Sequence, residues 1–128
     1  MIAGLMLKLA NILATFNIKG KVGRIEEGPM LILAYFEPAP GTLFSNIKKV
    51  EKDIGRSLGI SGVRVTEVPN STEVCLEIPS DNIKTIPFAP LVYSADFVKA
   101  NGALPICLGV DKRGDTVMKD LAKMPHLL

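Results

Sequence analysis

The chain has no tryptophan, one histidine and two cysteines among its 128 residues, and each scarcity removes a class of chemistry. With His126 the single histidine, at most one Ser-His-Asp or Cys-His arrangement is possible. It stands in an apolar run at the end of the chain, where a structural or interfacial role is the plainer reading. Cys75 and Cys107 cannot build a disulfide framework, and they lack the C-x2-C type spacing and the four ligands of a structural zinc site. Both alternate with apolar residues and read as buried filler of a chain from a reducing cytoplasm. No G-x-x-x-x-G-K-[ST] occurs, so nothing here cradles a nucleotide phosphate in the P-loop manner. The paired carboxylates Glu73/Glu77 and Asp111/Asp115 lie on expected strands and turns without an accompanying cleft and read as solvated surface. The residues therefore offer no catalytic group, no metal site and no cofactor site.

Charge of one sign is also scarce. Fifteen Lys and Arg against thirteen Asp and Glu leave a net charge of +2, which neither demands nor excludes nucleic acid. Long apolar runs are missing too. The mostly apolar stretch Met1–Phe16 is shorter than the ~18 residues a membrane span needs, is interrupted by Lys8, Asn11 and Thr15, and lacks a basic n-region and a cleavage site.

A composition of 48% hydrophobic and 22% charged residues is that of one globular domain with a real core. Leu5, Leu9, Ile12, Leu13 and Phe16 recur at helical spacing, and Asn17 to Gly20 ends that helix. Val22–Glu26 and Met30–Phe36 read as a hairpin about the turn Glu26-Glu27-Gly28-Pro29, and Pro38-Ala39-Pro40-Gly41 breaks regular structure after it. Asn46–Leu58 reads as a second helix with Ile47, Val50, Ile54 and Leu58 on one face. Ser45 or Asn46 serves as its N-cap and Gly59 as its C-cap. Val63–Val68 and Glu73–Ile78 form a second hairpin. A short helix at Ser94–Asn101, a strand at Leu104–Val110, a turn at Asp111–Gly114 and a final hairpin arm follow. The order predicts an α+β fold: an αββαββ sandwich whose mainly antiparallel sheet is covered on one face by the two longer helices, plus a short helix and C-terminal strands.

Lys48, Lys52 and Arg56 fall at i, i+4 and i+8 of the second helix, with Lys49 beside them, and form a basic ridge opposite the apolar face. Such a ridge can lie along a phosphate backbone, although a solvated helix face is the plainer reading. Lys112 and Arg113 make a smaller basic point at a turn tip. Gly59-Ile60-Ser61-Gly62 has the G-x-x-G spacing of KH modules. It joins a helix to a strand and carries no charge, so a helix cap followed by a turn explains it better.

The run Asp120-Leu121-Ala122-Lys123-Met124-Pro125-His126-Leu127-Leu128 is apolar to its end and reads as a strand continuing into further sequence. It resembles the segment that leads into the Walker A loop of FtsK/SpoIIIE-type DNA translocases. Gly28-Pro29 with Pro38-Ala39-Pro40-Gly41 resembles that family's GP and PAPG elements. Ile47–Leu58 with Val63-Arg64-Val65 resembles the following helix and strand, and Leu108-Gly109, Asp111, Gly114 and Leu121 its LGxDxxG segment. Ile32-Leu33-Ala34-Tyr35 departs from the family's usual polar run, and the Val68–Thr72 turn lacks the family's basic tip.

The resemblance implies that residues 1–118 are the alpha domain, a tier of a hexameric ring around double-stranded DNA, and that residues 119–128 open the ATPase, or beta, domain. It implies a parent protein that uses ATP and Mg, serves chromosome partition and cell division, and is anchored in the inner membrane upstream of this cytoplasmic part, which itself touches no membrane. On this reading the chain is no enzyme by itself, and Lys48, Lys49, Lys52, Arg56, Lys112 and Arg113 are its candidate DNA contacts. The residues alone leave two alternatives: a free-standing KH-like nucleic-acid-binding module, and a purely structural assembly domain.

Overall fold

The computed structural model describes residues 2–127. Helix α1, Ile2–Thr15, buries Leu9 and Leu13, with Leu5, Ile12 and Phe16 packed beside them. It stops because Asn17 adopts a left-handed conformation (φ 58°) and the Ile18 N–H turns back to the Leu13 carbonyl at 2.9 Å. Asn tolerates that conformation, and the six-to-one bond closes the helix as glycine does elsewhere.

Four strands follow in two hairpins: β1, Gly20–Glu27; β2, Leu31–Pro38; β3, Arg64–Glu67; and β4, Val74–Pro79. They form one antiparallel sheet in the order β1-β2-β4-β3. The hairpins join through β2 and β4, with Ala34 opposite Leu76 and Phe36 opposite Val74. Because side chains alternate across a strand, Ala34 and Phe36 share one face with Val74, Leu76 and Ile78, and this face carries the main core. The opposite face carries a smaller cluster of Leu33, Tyr35 and Cys75.

The second helix differs from its expected form. Instead of one helix from Asn46, α2 spans Phe44–Lys49 and α3 spans Glu51–Leu58, with Val50 (φ −92°, ψ 6°) between them. The Val50 N–H bonds to Ile47 O, so at that point the bond spans three residues instead of four and the turn tightens. Neither Ser45 nor Asn46 caps the helix: the N-cap is Leu43, whose side chain cannot accept a bond. Gly59 does close α3 in the left-handed conformation, as its position predicts. Ile47, Ile54 and Leu58 pack with Val63 and Val65 onto the same sheet face as α1, so the α+β sandwich stands.

The rest of the described chain forms a thinner layer: α4, Phe88–Val92; α5, Ala95–Val98; and a separate two-stranded sheet of β5, Pro105–Val110, and β6, Thr116–Asp120. The short helix expected at Ser94–Asn101 is only α5. Ser94 caps it by accepting the Phe97 N–H at 3.2 Å, and α4 precedes it unannounced by any cap residue. Among the described residues after Ser80, none is buried. The β5–β6 turn is fixed by Asp111, whose Oδ1 accepts the N–H groups of Arg113, Gly114 and Asp115 at 2.8 to 3.0 Å.

The strand expected to run through the apolar C-terminus ends instead at Asp120. Its carboxylate accepts the Leu104 and Ala122 N–H groups and draws Leu121–Lys123 into a 3-10 turn. Residues 124–127 form no strand, His126 is exposed, and Leu128 lies outside the described residues, as does the helix start expected at Met1.

Two substitutions separate the layers. Ile54→Ala, at a side chain with no exposed surface, should lower unfolding free energy by about 2–5 kcal/mol in urea titrations. Tyr93→Ala, at a side chain 83% exposed, should leave it unchanged within about 0.5 kcal/mol.

Candidate nucleic-acid interface

The basic residues of α2 and α3 divide into those held by the fold and those that are not. Lys48 Nζ lies 2.5 Å from Glu51 Oε2 and donates to the Val65 carbonyl at 3.1 Å, while Glu51 Oε2 accepts the Val65 N–H at 2.7 Å. Val65 sits on β3, the outermost strand on this side of the sheet. The Lys48–Glu51 pair thus occupies the donor and acceptor that an edge strand leaves open. Burial pushes the Glu51 carboxyl upward, but the Lys48 ammonium and the Val65 N–H outweigh it and hold the group below its ordinary value. Lys48 is therefore engaged inside the molecule. Arg56 Nη2 meets Asp53 at 3.0 Å in an exposed pair, an arrangement worth about 0–1 kcal/mol and easily exchanged. Lys49 and Lys52 are exposed and make no ion pair among the described residues.

Between α3 and the loop leading to β3 runs an open groove of about 650 Å³. Its floor is aliphatic and glycine-rich: Gly55, Gly59, Gly62, Ile60 and Val63. Gly55 is required there, since a Cβ would stand 2.7 Å from the Ile60 carbonyl. Lys52 and Arg56 line the α3 side, and Arg64 lines the groove from β3. Sequence reasoning passed over Arg64. Its signal was the alternation Val63-Arg64-Val65, which turns it outward two residues after the glycine tetrapeptide.

The hairpin tip is also divided. Lys112 Nζ lies 2.5 Å from Glu77 Oε1, and the Thr66 hydroxyl donates to the same oxygen at 3.2 Å. Glu77 is only 8% exposed, so it is not the solvated carboxylate its strand position suggested. Its hydrogen bond raises the Lys112 pKa against the opposing effect of burial. Gly28 makes room for this docking, because a Cβ there would overlap the Lys112 carbonyl. Arg113 stays exposed, its pKa raised by Tyr35 and Glu26.

Glu73 likewise has a partner: Arg24 binds it at 2.8 Å and stacks 3.7 Å over the Tyr35 ring, a geometry that favours a guanidinium. Cys75 is buried, which pushes its thiol upward; Cys107 is only half-buried, contrary to its expected place in a core.

Among the described residues, no group of three His, Cys, Asp or Glu could hold a metal, and no helix is long and apolar enough to cross a membrane. The arrangement can offer cations to an anionic surface.

The Glu51 clamp makes a pH test. A carboxylate with a depressed folded-state pKa contributes stability above its unfolded value, and loses it as pH falls through the folded value. Glu51→Gln should therefore be less stable than wild type at pH 7, and the gap in urea midpoints should close as pH drops from 4.5, the ordinary glutamate value, to below the folded one. A pH-independent gap would contradict the clamp.

The family model described as the FtsK alpha domain matches residues 2–80. The chain is 37% identical over 121 residues to a protein named DNA translocase FtsK from Azospirillum brasilense, covering 94% of the chain and 19% of that protein. Proteins of the same name from Caulobacter vibrioides, 35% identical over 94% of the chain, and Pseudomonas aeruginosa, 36% over 91%, are matched across 15% and 14% of their lengths. The chain thus spans less than a fifth of the curated relatives it matches. A matched region that coincides with the four-stranded sheet and its helices makes the assignment: the chain belongs to the FtsK alpha-domain family.

Proposed function

We propose that the chain is a non-catalytic, ring-forming module of an ATP-driven double-stranded DNA translocase acting in chromosome partition and cell division. One observation carries this reading: relatives named DNA translocase FtsK align along 91 to 94% of the chain while the chain accounts for only 14 to 19% of them. ATP and Mg then belong to another part of the motor, which works as a hexamer, and membrane anchoring to another segment of the parent protein, with this module on the cytoplasmic side.

We set the boundary between the alpha and ATPase parts near residue 80 rather than after residue 118. The family match stops there, the main sheet ends at Pro79, and the following layer buries no side chain among the described residues. Exposed Phe88, Tyr93 and Val98 then form a surface for the remainder of the ATPase part to cover, because apolar area of this kind gains free energy when removed from water.

Lys49, Lys52 and Arg56 are the members of the basic ridge we assign to DNA. Lys48 and Lys112 take part only if their internal pairs open, and Arg113 remains an accessible cation. The reading is tested by duplex affinity against salt for the full chain and for Lys49→Ala/Lys52→Ala/Arg56→Ala, with Lys48 left in place because it seals β3. Loss of up to three phosphate contacts should reduce the slope of log K against log salt by about two to three. An unchanged slope would overturn the DNA role of this face, and a preference for single-stranded RNA would favour a KH-like module instead. In sedimentation velocity the chain alone should remain monomeric, since the ATPase part supplies most of the ring contact. A stable hexamer would refute that division.

A further inference from the structure

We propose that the groove between α3 and β3 seats one strand of the DNA backbone, with Arg64 and the Ser61–Gly62 turn completing a phosphate clamp begun by Lys52 and Arg56. The proposal rests on the duplex-DNA reading above and names where on the surface that contact is made.

Charge singles out this groove. Three cations line it, and the one carboxylate among the lining residues, Glu51, is already engaged by Lys48 and the Val65 N–H. Asp53, the partner of Arg56, does not line it. The balance is +2 even when Glu51 is counted in full, as large an excess as that of the whole chain. Arg64 is exposed and makes no ion pair among the described residues, so its charge is available to a ligand.

Shape and polarity narrow the occupant. A sugar–phosphate strand is amphiphilic, with apolar sugar carbons between anionic phosphates, and the groove has the complementary layout of aliphatic floor and cationic rim. Lys52 and Arg56 stand one helical turn apart, about 6 Å along the axis, close to the separation of successive phosphates on one strand. Gly59 and Gly62, both exposed, leave the protein backbone uncovered at the groove, which permits close approach. Gly59 and Gly62 both have positive φ, 76° and 82°, so the loop cannot readily take larger residues. Within the described residues, no hydrogen bond takes up the Ser61 or Gly62 N–H, and backbone amides of this kind bind phosphate oxygens. The ridge alone would give a one-sided contact. Arg64 adds the facing wall, supplied by a different element.

The test uses the full chain, a fluorescein-labelled mixed-sequence duplex and anisotropy over a range of salt. Arg64→Gln removes the facing cation, and Ser61→Glu puts an anion into the turn; both sites are exposed, and thermal melts confirm folding. Arg64→Gln should weaken binding several-fold and reduce the salt slope by about one, and Ser61→Glu should weaken binding about tenfold through like-charge repulsion. If both variants bind with wild-type affinity and slope while Lys49→Ala/Lys52→Ala/Arg56→Ala loses affinity, the groove assignment fails and the DNA reading stands. If none of the three departs from wild type, both fail.

Discussion

The pairing of β2 with β4 is the constraint on which the rest of the molecule hangs. β1 adds to the free side of β2 and β3 to the free side of β4. The helices cover one face of this central pair, and the hairpin tip reaches the other through Glu77. Its register is tightly specified because the two faces differ in chemistry. One presents Ala34, Phe36, Leu76 and Ile78 to the helices; the other presents the Tyr35 hydroxyl and Glu77 to polar partners beside the small cluster of Leu33, Tyr35 and Cys75. A slip of one residue would exchange those sets and put a carboxylate under the helices, at a cost far above any compensating contact.

The same sheet sorts the cations into two populations. Arg24, Lys48 and Lys112 neutralise carboxylates around the sheet or its edge, and each does something more. Arg24 stacks on Tyr35, Lys48 seals Val65, and Lys112 holds the hairpin down. Lys49, Lys52 and Arg64 pair with nothing among the described residues, and Arg56 has only an exposed partner. A chain with a nearly balanced charge can thus present a locally positive surface, because Lys52, Arg56 and Arg64 gather along one groove whose single carboxylate is already engaged.

What could be read from the sequence was what depends on neighbours in the chain. The apolar period of α1, both hairpins of the main sheet, the Gly59 cap and the Asp111 turn all rest on residues a few positions apart, and all appear where expected. Distant contacts were not legible. Nothing local to Val50 announces the break between α2 and α3, which accompanies the reach of Lys48 and Glu51 to a strand some fifteen residues further on. Glu77 looked solvated because its partner lies 35 residues away. The candidate interface was half visible for the same reason: helical spacing marks Lys52 and Arg56, but only the folded chain brings Arg64 opposite them.

The capped edge at Val65 has a consequence for how copies of the chain can associate. An uncovered strand edge invites a neighbour to extend the sheet, and unlimited extension of that kind leads to fibres. With the Val65 donor and acceptor both occupied, that side of the sheet is closed to main-chain templating at its middle. Association across it must proceed through matched side-chain surfaces, which can end in a closed set of subunits where open-ended sheet growth cannot.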